Sequence, residues 1–461
     1  MTRNNLFRSV SIKLENSKIP SVVLYVGVVV ATCLQKPAPY LINDAESYLN
    51  GSVALVSQSD VYQAGYLQLR GAWTPIFYIP AAFVQKIFGT GNDRPIINAA
   101  VLLQGALLVA LVSVFLIPSV MKIFFPPNLT SLSVSAFLGW LVLRKFALYS
   151  LLDLWAVALI LMSICLLKRK TILSIFAAGF ILGVCSNIRP SYLPFVFASI
   201  AVAFFYIHFR ALIFFFSFIG AQALQIAVNW RVNHRISLFP IDLSSVSRED
   251  FGLSLLVVRF DGVMYPKPEG GLSFCNPAMV KIALNEMPYN IFEYLLVLAR
   301  HPISSFWFIL EKIGTSLYWP VSAPYFEQRG TVDALFGSMI LLITVIGLAS
   351  LIFIQAPIFS LPFPRLLSFF VITWTLIGLC VNHVETRYAL PIVIFGIVGV
   401  GGLIGQCFGS GCSRLNIRGR WLSIFGVLTI AALLLTAGYV GLHHTGACAT
   451  SESLKKAWNL P

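Results

Sequence analysis

The chain has 461 residues, of which 58% are hydrophobic and 11% charged, and its mean hydropathy is +0.83. Water-soluble domains carry about 25% charged residues, so a chain this poor in charge could not cover a water-facing surface, and a soluble fold is excluded. The net charge of +14 would suggest nucleic acid in a soluble protein; in a membrane protein it reflects cytoplasmic loops and anionic lipid, and no nucleic-acid partner is expected.

Residues 1–19 form a basic, cytoplasmic N-terminus with Arg3, Arg8, Lys13 and Lys18. The apolar run at 20–36 follows without a small-x-small cleavage site, so it reads as an uncleaved first span rather than a secretory signal. A helical crossing needs about 20 apolar residues. Further runs lie near 97–120, 129–143, 150–167, 171–188, 191–207, 211–228, 335–356, 366–382, 389–407 and 421–441. The segment 291–320 holds Arg300, His301, Pro302, Glu311 and Lys312, which suits an amphipathic helix lying on the membrane surface. The expectation is an all-α, polytopic transmembrane protein of about 11 spans, or 12 if 291–320 crosses. Alternation typical of membrane β-strands is absent. A membrane region at 20–228 contains the first long loop, 37–96; a second long loop at 229–334 leads to a C-terminal membrane region at 335–442 and a tail at 443–461.

Lys168, Arg169, Lys170, Arg414, Arg418 and Arg420 mark the cytoplasmic side together with the N-terminus. Both long loops and the turn at 383–388 then face outward. Arg70, Arg94, Arg231, Arg235, Arg248 and Arg259 lie in those outer loops, and long loops translocate largely regardless of charge. Of the eight cysteines, Cys275 and Cys448 alone would share an oxidising compartment.

The candidate chemistry clusters on that outer side. Asp44 and Glu46 open the first long loop in Asp44-Ala45-Glu46-Ser47-Tyr48. A carboxylate at the headgroup boundary is part desolvated and suited to act as a base; Glu46 is a metal ligand, an acceptor contact or a solvated neighbour. Trp73-Thr74-Pro75-Ile76-Phe77-Tyr78 suits an interfacial helix, with Trp73 as an anchor. Asp153 begins the fourth span, where an unpaired carboxylate is costly. It pairs with Arg144 and Lys145 or lines the cavity of Asp44. Arg189, in Asn187-Ile188-Arg189-Pro190, either forks onto a lipid phosphate or snorkels to ordinary headgroups. His383, Glu385, Arg387 and Tyr388 crowd a short turn between two spans; Glu385 and Arg387 pair with each other or contribute to a site, Arg387 as a second phosphate ligand. Phosphate loops, dinucleotide-binding turns, zinc motifs and nucleophile elbows are all missing from the sequence.

In their order, Asp44-Ala45-Glu46-Ser47-Tyr48, Trp73-Thr74-Pro75-Ile76-Phe77-Tyr78, Asn187-Ile188-Arg189-Pro190 and Glu385-Thr386-Arg387-Tyr388 with Pro391 make this chain resemble the GT-C superfamily of membrane glycosyltransferases, near the protein O-mannosyltransferase and lipid A aminoarabinose transferase branch. The resemblance implies a polyprenyl-phosphate sugar donor and a lipid, glycan or protein acceptor at the outer (periplasmic) face of a bacterial inner membrane. It implies Asp44 as general base, Arg189 and Arg387 on the donor phosphate, and inversion at the anomeric carbon. The chemistry needs no cofactor and does not demand a divalent metal. Relatives often carry a Pro-Pro pair preceded by an acid or lysine late in the first loop; Ala72-Trp73-Thr74-Pro75 stands here instead, so Glu46 or Asp153 would have to supply any second acid. Two other readings are a polysaccharide polymerase or ligase, whose sites use arginines and a histidine such as Arg231, His234 and Arg235, and a secondary transporter or lipid flippase, for which no internal repeat is evident.

Overall fold

The computed structural model describes residues 19–38, 41, 43–57, 71–89, 94–238, 253–262, 271–288, 290–325, 331–353, 362–381, 385–408 and 421–443. Helices dominate these residues. Helix α1 is Ile19–Cys33, α2 Asn43–Val56 and α3 Ile79–Phe88. Helix α4, Arg94–Ala110, continues through a wide π turn at Leu111–Leu116 into α5, Ile117–Phe124. Then come α6, Leu129–Leu143, α7, Asp153–Leu167, and α8, Ile172–Ile188. They are followed by α9, Leu193–Ile207, α10, Ala211–Ala221, and α11, Ala223–Asn233.

Among the described residues, six helical stretches are long and apolar enough to cross a membrane: Pro95–Phe124, Leu129–Leu148, Pro190–Arg231, Thr331–Ile352, Thr386–Cys407 and Gly426–His443. Each of the eleven expected runs falls on a helix; three, at 20–36, 150–167 and 171–188, fall on helices of 15–17 residues, and the run at 366–382 falls on the 20-residue helix Pro362–Val381. At about 1.5 Å per residue the first three are shorter than a hydrocarbon core of about 30 Å. Two expected runs share the 42-residue stretch Pro190–Arg231. His208, at φ 52°, breaks it into α9 and α10, and Arg210 donates to the Lys170 carbonyl across the neighbouring turn (3.4 Å). These basic turns therefore share one end of the bundle.

The second long loop is not purely helical. Strands β1, Val257–Gly262, and β2, Gly271–Cys275, form an antiparallel hairpin. Helices α12, Pro277–Asn285, α13, Ile291–Arg300, and α14, Pro302–Leu317, follow. The segment 291–320 is thus two helices meeting at His301 and Pro302. Phe292, Leu295, Leu296, Ile303, Phe306 and Trp307 are exposed, an apolar face suited to a lipid interface. Glu311 and Lys312 do not sit on an outer polar face; both are buried, with Glu311 accepting from Asn276 and Lys312 donating to the Ser254 carbonyl. The hairpin's Cys275 is disulfide-bonded; Cys448 lies outside the described residues. A disulfide belongs in an oxidising compartment.

The last helices are α15, Thr331–Phe353, α16, Pro362–Val381, α17, Leu390–Phe408, and α18, Trp421–His443. Helices α15 and α17 touch backbone to backbone: a Cβ added at Gly347 would lie 1.8 Å from the Gly396 carbonyl oxygen. Apolar helices in lipid gain nothing by hiding from water, so small residues that permit such contact hold them together. Much of the N-terminus, the centre of the first long loop, His383, Arg414, Arg418, Arg420 and the tail from 444 onward lie outside the described residues.

Candidate active site

Four separate segments bring charged side chains to one place, and each is positioned by ordinary helix-end chemistry. Asp44 lies in the first turn of α2 and Asp153 opens α7, where the helix dipole favours negative charge. Arg189 caps the C-terminus of α8, where the dipole favours positive charge, and Pro190 prevents the helix from continuing. Arg387 lies in a 3-10 turn, Thr386–Ala389, directly before α17.

Arg387 Nη2 donates to Asp44 Oδ2 at 2.7 Å, and Arg189 Nε donates to Asp153 Oδ1 at 2.8 Å. The crossed pairs, Arg189 with Asp44 and Arg387 with Asp153, each lie at 3.8 Å. Arg387 also donates through Nε to Glu385, and the Tyr388 hydroxyl donates to Glu385 Oε1 at 3.3 Å. Burial pushes the Glu385 carboxyl up, but the Arg387 guanidinium outweighs this and holds it below the usual carboxylate range. The Tyr388 ring lies under the Arg189 guanidinium at 5.2 Å.

Five of the seven residues singled out in the sequence therefore converge as charged partners, and Tyr388 packs on them. Glu46 does not join them. It is exposed, because two residues along a helix turn a side chain about 200° away from Asp44. Asp153 is fully buried, with Arg189 and Arg387 rather than Arg144 or Lys145 as its ion-pair partners; Arg144 instead stacks on Trp140. Nor does Arg189 snorkel, since it is 7% exposed. Trp73 is tied into the bundle: its indole Nε1 donates to the Ala221 carbonyl at 2.8 Å, and its backbone N–H to Asn187 Oδ1 at 3.0 Å. Gly71 allows that approach, because a Cβ there would fall 2.0 Å from the Asn187 carbonyl oxygen. His234, Arg231 and Arg235 are exposed near the end of α11.

Three contributors were missed in the sequence. Tyr192 donates to Asp153 Oδ1 (3.3 Å) and to the Arg387 carbonyl (3.0 Å), joining two of the segments; its place in the 3-10 turn after Pro190 was the only available signal. Ser150 donates to the Ala45 carbonyl, clasping the start of α7 to α2. Thr386 donates to Asp261 Oδ1 in the hairpin.

Two arginine nitrogens in the cluster, Arg189 Nη2 and Arg387 Nη1, are buried without a hydrogen-bond acceptor among the described residues. Buried donors left unmade are costly, and an anion at this position would satisfy them. Beside it lies a small pocket lined by Ser191, Tyr192, Phe195, Thr375, Leu379 and Tyr388. Among the described residues no group of three or more His, Cys, Asp or Glu side chains could hold a metal ion. No protein-family model matches the chain, and no curated protein matches it.

Proposed function

We propose that this protein is a membrane glycosyltransferase with eleven crossings, transferring a sugar from a polyprenyl-phosphate donor to a lipid, glycan or protein acceptor at the outer face of a bacterial inner membrane. The observation that carries the reading is the convergence of two buried guanidinium groups, Arg189 and Arg387, on the partly exposed carboxylate of Asp44, with one nitrogen of each lacking an acceptor among the described residues. Two fixed forks suit a phosphate, and a carboxylate within reach of both suits a base. The ordered motifs that resemble the GT-C superfamily point the same way.

In this reading the donor phosphate takes Arg387 and Arg189 as its ligands and draws Arg387 away from Asp44. The Asp44 carboxylate then accepts the proton of the acceptor hydroxyl or amine as that group attacks the anomeric carbon. The bond from that carbon to the phosphate oxygen breaks on the opposite side, inverting configuration, and the electron pair leaves with the phosphate. Fixed positive charge stabilises the charge growing there, most strongly where water is excluded. Asp153 keeps Arg189 in place, and Glu385, held in turn by Tyr388, does the same for Arg387. No general acid and no metal is required.

The test is transfer by purified protein in detergent from a panel of polyprenyl-phosphate sugars. Asp44→Asn is expected to remain folded and lose transfer; an active Asp44→Asn enzyme refutes the assignment of the base.

A further inference from the structure

The turn that carries Arg387 is only four residues long, and a 3-10 turn has poor internal hydrogen-bond geometry. Its placement must come from neighbours. Thr386, 1% exposed, donates from Oγ1 to Asp261 Oδ1 at 2.8 Å, and the backbone of Phe260 bridges to Glu385. Strand alternation puts Arg259 and Asp261 on one face of β1, and Arg259 Nε donates to Asp261 Oδ2. Arg259 Nη1 in turn donates to the carbonyls of Thr315 and Tyr318, each at 2.9 Å, at the end of α14. A chain of buried polar contacts thus runs from α14 through β1 to the residue next to Arg387.

We infer that Asp261, oriented by Arg259, is a positioning residue that sets the reach of Arg387 through Thr386. The hairpin acts on the phosphate-binding guanidinium without touching the substrate. Apolar contacts alone could hold the hairpin on the bundle. A buried carboxylate aimed at Thr386 fixes the turn in one register, because its second oxygen is committed to Arg259. This inference rests on Arg387 as a phosphate ligand.

The experiment compares wild type, Thr386→Val, which keeps the shape but lacks the hydroxyl, and Thr386→Ser, which keeps the hydroxyl. Two readouts are taken, binding of sugar-free polyprenyl phosphate and turnover of the sugar donor, with thermal stability measured in parallel. Misplacement of a charged ligand by about 1 Å costs about 10²-fold in rate. Thr386→Val should therefore bind the phosphate more weakly and turn over about 10²-fold slower, at unchanged acceptor KM and near-normal stability. Thr386→Ser should restore both readouts. Binding and turnover at wild-type levels in Thr386→Val overturn the inference, as does equal impairment in Thr386→Ser or a Thr386→Val protein too unstable to purify. If wild type binds the phosphate but transfers no sugar, the transferase reading fails while the binding comparison still decides the role of Thr386. A wild type that binds no polyprenyl phosphate overturns both.

Discussion

Two buried arginine–aspartate arrangements lie close together in this protein, and they differ in kind. In the hairpin, Arg259 and Asp261 are two residues apart, 1% and 4% exposed, and both carboxylate oxygens are engaged. In the bundle, Arg189 and Arg387 meet Asp44 and Asp153 across as many as 343 residues, and Asp44 keeps 21% of its side chain exposed; one nitrogen of each arginine has no acceptor among the described residues, as is also true of Arg259 Nη2 in the hairpin. The first arrangement is sealed from solvent at both partners, and the second is open at one carboxylate, Asp44.

That contrast is broken most forcefully by conservative substitution in the open cluster. Asp44→Asn should reduce transfer by about 10²–10⁴-fold, the usual worth of a general base, with little effect on thermal stability. Arg387→Lys retains charge but loses the fork; kcat/KM for the donor should fall by about 10²–10³-fold. Asp261→Ala should behave in the opposite sense, lowering stability by about 3–5 kcal/mol because Arg259 is left buried without its counter-charge. Denaturation in detergent would expose a mistaken contrast if Asp44→Ala cost as much stability as Asp261→Ala.

Smaller effects sharpen the account of the outer helices. Burial pushes the Lys312 amine down to about 7. Between that value and the unfolded value of about 10.4, the unfolded chain binds the extra proton, so stability rises with pH across this window and the full penalty is present below it. Thermal midpoints taken from neutral to alkaline pH should climb in wild type and flatten in Lys312→Met. Smallest of all, Trp73→Phe removes the hydrogen bond to Ala221 and should cost about 1 kcal/mol.

Much of the fold was legible because apolar run length is a direct readout of a bilayer. Two helix ends were legible as well: Asp153 opens an expected span, and Arg189 with Pro190 closes another. The helix Asn43–Val56 that carries Asp44 was not, because that stretch reads as the start of a loop. The mutual pairing of these charges was not legible either, because nothing local joins residue 44 to residue 387. Neighbouring charges misled at Asp153, where Arg144 and Lys145 were near in sequence and Arg189 was near in space. The Arg259–Asp261 pair was hidden in a loop whose short hairpin has weak alternation, and Glu46 was credited for adjacency that helical rotation removes.

The central claim is that Asp44 works as a base beside guanidinium groups that hold phosphate. The most direct measurement is single-turnover transfer from a polyprenyl-phosphate sugar by wild type and Asp44→Asn, with polyprenyl-phosphate binding recorded on the same samples. The account predicts phosphate binding by both proteins and transfer by wild type alone. Equal transfer by both, or no phosphate binding by either, would contradict it.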